Sequence, residues 1–248
     1  MHFLGRLLFL LGIFTGTCTP LYAGLAPQRL INQLLWDAHE VTVGQVLAYA
    51  DATDFVSAAE KAGGGSVYES GWVQKSGWTW RAPYGRPAAL DEPAVHLTFD
   101  EAVSICQHAG KRLPSDAEWV NAAYLEQRTH APKGWAVGKR YRYPNGDNAS
   151  GSHYLGNRIA AAKSIPPGAL SRGSGHVPVM QTTPGVNGLW DMGGNVWEWV
   201  ATGDGNQRIT RGASWWYGPE RQLEQDVATK PRDTQVVYIG FRCVAERQ

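Results

Sequence analysis

Excess charge is the first thing this chain lacks. Its 23 Lys and Arg residues face 22 Asp and Glu, and charged residues make up only 18% of its 248 positions. No basic run breaks that balance, which excludes the electrostatic footprint of a nucleic-acid binder or of a protein held on an anionic membrane. Cysteine is scarce, with three in all. The one apolar run, Leu7 to Phe14, is too short to span a bilayer as an ordinary helix. His39, His96, His108, His130, His153 and His176 show no metal-type spacing and read as lone surface or capping residues. Tandem repeats and internal linkers are also missing. With 43% hydrophobic residues the chain can bury a sizeable core, and its size fits one large domain.

What the chain does have is 29 Gly, 14 Pro and 11 Trp. That composition implies ordered loops pinned by large aromatic anchors rather than a helical bundle. The N-terminus reads as a secretory signal over residues 1–23. Arg6 supplies the positive start, Leu7 to Phe14 the apolar run and Leu21-Tyr22-Ala23 a small-residue exit. Cleavage after Ala23 is expected to leave a mature domain of residues 24–248, secreted or periplasmic, with no stable membrane insertion. Thr15-Gly16-Thr17 before Cys18 lacks the aliphatic residue of a lipoprotein box. Loss of Arg6 takes the formal charge from +1 to zero. Cys106 and Cys243 remain, and an even pair in an exported chain invites a disulfide.

Over residues 24–39 the pattern is weak, with Leu30, Ile31, Leu34 and Leu35 at helical spacing, and the stretch is read as a short entry segment packed on the domain. A clearer helix is expected over 43–53, where Val46, Leu47 and Ala50 share a face. Residues 63–92, with Trp72, Trp78 and Trp80 among turn residues, read as an ordered loop with short strands. Thr98 with Glu101, and Ser115 with Glu118, are capping boxes, in which each side chain satisfies an amide left free at a helix start. Between Lys133 and Pro184 the chain reads as loop. There Asp147, Asn148 and Asn157 suit Asx turns better than a cation site. Runs at 209–216 and 236–244 look strand-like.

The densest chemical stretch is Asn187 to Val200. Two short aromatic and β-branched runs flank Gly193-Gly194-Asn195, a turn able to take positive φ angles, and the pattern predicts a hairpin. Asp191 and Glu198 sit there among three tryptophans, where an unpaired carboxylate is costly unless a cation or donors compensate it.

The order of several motifs carries a family resemblance. Pro93-Ala94-Val95-His96-Leu97-Thr98 comes first, then Cys106 to Pro114 and Ala117-Glu118-Trp119. Gly188-Leu189-Trp190-Asp191-Met192, Gly194-Asn195-Val196-Trp197-Glu198-Trp199, Arg211-Gly212-Ala213-Ser214-Trp215 and Gly240-Phe241-Arg242-Cys243 follow. This order resembles the formylglycine-generating enzyme, or sulfatase-modifying factor, family over about Trp36 to Ala245. The resemblance implies an α+β variant of the C-type-lectin fold with little regular secondary structure. It also implies a disulfide between Cys106 and Cys243, and a calcium ion held by Asp191, Gly194, Val196 and Glu198. Hard oxygen ligands with two carboxylates suit that ion. The alternative for the two carboxylates is satisfaction by backbone amides or Arg side chains. A second calcium site of the family keeps only Asn157 as a match.

The family's oxidases bind copper(I) through two thiolates placed just after the strand that Arg211 to Trp215 resembles, soft ligands for a soft metal. The matching positions are Tyr217 and Gln222, which supply no thiolate. Copper and formylglycine formation are therefore not expected. The leading expectation is an exported accessory or maturation factor acting on a protein or peptide-like substrate, with a groove near Ser214, Trp215, Trp216, Tyr217, Arg221 and Gln222. The alternatives are a non-catalytic ligand- or protein-binding module of the same fold, and an oxidase with a non-cysteine active site using Glu220, Glu224 or Asp226.

Overall fold

The computed structural model describes residues 26–162 and 174–247. The signal sequence expected over residues 1–23 lies outside the described residues. The entry segment is a strand hairpin, β1 (Gln28–Ile31) and β2 (Leu34–Asp37), so the helical spacing of its leucines does not produce a helix. Asn32 and Gln33 form its two-residue turn at φ 47° and 68°, the left-handed pair that tight hairpins require. The C-terminal strand β9 (Val244–Glu246) then pairs with β2. Long-range pairing, invisible to local periodicity, decides the segment. Trp36 is buried at its centre.

Helix α1 (Val43–Thr53) lies as expected, capped by Thr42, whose hydroxyl accepts from the Gln45 N–H. A short helix α2 (Ala58–Lys61) and a small hairpin, β3 (Ser66–Tyr68) with β4 (Trp72–Gln74), follow. Both expected capping boxes form, opening α3 (Phe99–His108) and α4 (Asp116–Tyr124). Beyond them a long loop region leads to a four-stranded sheet in the order β7 (Ala228–Pro231), β6 (Gln207–Arg211), β5 (Trp197–Asp204), β8 (Ile239–Gly240). The β5–β8 pair is parallel and the others antiparallel.

The hairpin expected around Gly193-Gly194-Asn195 does not form. The β5–β6 hairpin turns instead at Gly205 and Asn206. Residues 189–196 run as irregular chain whose amides are shared among distant segments. Trp190 donates to Ala38 (2.8 Å), Gly194 to Gly212 (2.7 Å) and Asn195 to His153 (2.8 Å). The positive φ angles expected of Gly194 and Asn195 are present, at 80° and 47°, but they serve a crossing of chain segments and not a two-strand turn. A Cβ on Gly194 would meet the His153 carbonyl oxygen at 2.3 Å.

Two apolar clusters fill the interior. The larger joins α1 and α3 to the four-stranded sheet through Val46, Trp80, Ile105, Trp199, Ile239 and Phe241. The smaller packs Trp36, Trp119, Tyr124, Leu189 and Val244. Cys106 of α3 is bonded to Cys243, with Cα atoms 5.7 Å apart, so the pair expected from the cysteine count is formed. Beside it Lys111 forms a buried ion pair with Asp37. No helix among the described residues is long and apolar enough to cross a membrane.

Candidate functional site

The carboxylates singled out in the densest stretch converge with a third. Glu198, on β5, is 1% exposed and faces the fully buried Arg242. Arg242 Nη2 donates to Glu198 Oε1 at 2.6 Å, its Nε donates to both oxygens at 3.0 and 2.8 Å, and Trp119 Nε1 adds a bond to Oε2 at 2.8 Å. Asp191, at φ 61°, accepts from the Thr182 hydroxyl at 2.6 Å and the Met180 N–H at 3.1 Å. The third carboxylate, Glu40, was not singled out in the sequence. It accepts from Asn195 Nδ2 at 3.0 Å through Oε1, while its buried Oε2 has no hydrogen-bond partner.

Burial, with the neighbouring Asp191 charge next, pushes the Glu40 carboxyl well up, and burial raises Asp191 too. Arg242 stays charged against its own burial because Glu198, Glu40 and Asp191 surround it. Three carboxylates around one guanidinium leave an excess of negative charge that a hard divalent cation or bound protons would neutralise. Of the ligands expected for calcium, Asp191 brings a buried carboxylate of the hard-oxygen type that suits such a cation. The lone-pair positions of Glu198 are met by Arg242 and Trp119, so it fits only by sharing its oxygens. Among the described residues no group of three or more His, Cys, Asp or Glu side chains is disposed to hold a metal.

The expected groove residues divide sharply by exposure. Ser214, Trp215, Trp216 and Gln222 are buried. Gln222 accepts the Ser152 hydroxyl at 2.9 Å on Oε1, and the Tyr124 hydroxyl at 3.0 Å on its carbonyl. Only Tyr217 and Arg221 reach partial exposure. Arg221 lies 5.4 Å from the Tyr217 ring centroid and 5.5 Å from that of Trp197, and pairs with Asp226 at 3.2 Å. Glu224 pairs with Arg140 at 3.0 Å. The acidic run offered as an alternative active site is thus partly paired with arginines. Asp147 pairs with Lys139, and Asn148 closes an Asx turn onto Ser150.

Of the six histidines read as surface or capping residues, His108 and His130 are exposed. His39, His96, His153 and His176 are buried. Burial lowers the His39 and His153 pKa values and takes His96 down to about 4. His176 joins Tyr84 and Glu92 in one hydrogen-bonded line. No spacing rule connects residues so far apart in the chain.

Residues 23–247 match the family described as the sulfatase-modifying factor enzyme 1-like domain. The chain belongs to the sulfatase-modifying factor family. It is 27% identical to a formylglycine-generating enzyme of Thermomonospora curvata, over 90% of this chain and 86% of that protein. It is 29% identical to the inactive C-alpha-formylglycine-generating enzyme 2 of Bos taurus, over 70% of this chain and 58% of that one. Among solved structures, PvdO from Pseudomonas aeruginosa superposes with a TM-score of 0.56 at 18% identity, covering 86% of this chain and 80% of the other, a likeness of fold. The α+β class and the family expected from the motif order are both as read.

Proposed function

We propose that this member of the sulfatase-modifying factor family is an exported accessory or maturation factor acting on a protein or peptide-like substrate, without cysteine-based formylglycine chemistry. The observation that carries the reading is the fate of the thiols. Both cysteines of the expected mature chain are joined to each other, and Tyr217 and Gln222 stand where the family's oxidases place thiolates. Gln222 is moreover locked in the interior by Ser152 and Tyr124. A soft-metal site at these positions has no soft ligand. Contact with a substrate falls to the half-buried Tyr217 and Arg221, where an aromatic face and a guanidinium suit an extended peptide. The structural role proposed for calcium is to neutralise the Asp191, Glu40 and Glu198 cluster.

Incubation of the purified mature protein with a sulfatase-type Cys-x-Pro-x-Arg peptide tests the chemistry. The expected result is an unchanged peptide mass, and conversion of its cysteine to formylglycine overturns the reading. A second reading, a non-catalytic binding module, is favoured by the burial of four of the six groove residues. Peptide capture without any covalent change, lost in Tyr217→Ala and Arg221→Ala, would support that reading.

A further inference from the structure

Outside the carboxylate cluster the interior holds a second polar assembly that the proposed function does not use. Glu92, His176 and Tyr84 are 4%, 0% and 5% exposed. His176 Nε2 lies 2.8 Å from Glu92 Oε2, and His176 Nδ1 lies 2.8 Å from the Tyr84 hydroxyl. The carboxylate assigns the tautomer, since Nε2–H donates to Glu92 and Nδ1 is left to accept the phenolic proton. The His176 backbone N–H also donates to the Tyr84 oxygen at 2.9 Å, which aims the phenol's own hydrogen at the ring nitrogen. A carboxylate thus holds an imidazole poised to take a proton, the logic of a general-base pair with a phenol as its partner.

Tyr84 also starts a row of touching rings. It lies 6.3 Å from Trp215, centroid to centroid, and Trp215 lies 5.3 Å from Trp216. Trp216 lies 5.6 Å from Tyr238, and Tyr238 5.9 Å from the half-buried Tyr217. Every step is within aromatic contact range. Packing accounts for such contacts in a tryptophan-rich core. It does not account for burying a glutamate and a histidine in line behind one phenol, an arrangement that costs desolvation free energy apolar residues would avoid.

We propose that Tyr84 is a redox-active tyrosine, with His176 as its proton acceptor and the row from Trp215 to Tyr217 as its electron path to the surface. Tyr84 gives one electron along the row to a one-electron oxidant of the high-potential metal-complex class that meets Tyr217. Its O–H bond breaks and an N–H bond forms at His176 Nδ1. The products are a neutral tyrosyl radical, an imidazolium held by Glu92, and the oxidant reduced by one electron. Return of one electron and the same proton restores the phenol. This proposal stands independently of the substrate reading.

The test uses the purified mature protein and a photogenerated ruthenium(III) polypyridyl complex as the oxidant, with electron paramagnetic resonance as the readout. A neutral tyrosyl signal is expected, absent in Tyr84→Phe, formed more slowly in Tyr217→Phe, and reduced in His176→Gln. Fluorotyrosine placed at position 84 keeps the phenol and the fold, and fluorine splitting of the signal assigns the radical even if a variant fails to fold. An unsplit signal, or one unchanged in folded Tyr84→Phe, overturns the proposal.

Discussion

Arg242 and Glu198, 44 residues apart in the chain, meet as a buried ion pair with no more than 1% of either side chain exposed. The guanidinium also donates to the Trp190 carbonyl at 2.8 Å, so it ties β5 to the irregular 189–196 segment as well as balancing charge. Removing one partner of a buried pair strands the other. Arg242→Leu is expected to cost about 3–5 kcal/mol in urea unfolding, and it leaves Glu198, Glu40 and Asp191 without their cation. The double variant Arg242→Leu with Glu198→Leu should recover part of that loss. A double variant no better than the single one would mean that the pair does not interact energetically.

The Cys106–Cys243 bond closes a loop with a sequence separation of 137. Cross-linking over such a span restricts the unfolded chain, by about 4–5 kcal/mol in the chain-entropy model. Reduction should lower the unfolding midpoint markedly, and thiol titration of the unreduced, denatured mature protein should find no free thiol. Two titratable thiols in that sample would contradict the bond.

His96 sits fully buried with Nε2 3.1 Å from the Pro83 carbonyl, and burial lowers its pKa from 6.5 to about 4. Below pH 6.5 the unfolded chain takes up a proton that the folded chain refuses until about pH 4. The stability from this group is therefore full above pH 6.5 and lost as pH falls toward 4, on the order of 3 kcal/mol. Burial of His153 and His39 acts with the same sign. Unfolding measured across that window should show the wild type losing stability relative to His96→Gln. Parallel pH profiles would refute the assignment.

Gly194 turns a sequence signal into a packing demand. At φ 80° and with the His153 carbonyl oxygen 2.3 Å from where a Cβ would sit, it accepts no side chain without moving backbone. Gly194→Ala should destabilise by roughly 2–4 kcal/mol, whereas Gly205→Ala, with open space around it, should cost less. Equal effects in thermal unfolding would show that the crossing at residue 194 yields easily.

Local chemistry was legible wherever it was self-contained. The capping boxes at Thr98 and Ser115 and the helix from Val43 depend on residues within four positions of one another, and they form as written. Elements decided by distant partners were not legible. Leu30 to Leu35 fit a helical period, yet β9 from the far end of the chain recruits the segment into a sheet. Gly193 to Asn195 carry hairpin chemistry, yet their amides pair with residues 153 and 212. The carboxylate cluster was half visible. Asp191 and Glu198 stood out against tryptophans, while Glu40 lies 151 positions before Asp191 and takes its side-chain hydrogen bond from Asn195. His176 gave no signal at all, because its partners Tyr84 and Glu92 are 92 and 84 positions away.

The unpartnered oxygen of Glu40 supplies the test of the proposed calcium. Buried negative charge in excess of Arg242 is neutralised either by a cation or by protons, and the two answers separate by experiment. If calcium is bound, metal analysis of the purified mature protein finds it without stoichiometric copper. A chelator then lowers the thermal midpoint, restored by added calcium, and the response is lost in Asp191→Asn. If protons serve instead, the chelator leaves the midpoint unchanged. Raising pH through the elevated pKa values of Glu40 and Asp191 then removes those protons and destabilises the fold, because burial penalises the charge that appears. A midpoint that is insensitive to chelator and falls with rising pH would overturn the calcium proposal and leave Arg242 as the cluster's only cation among the described residues.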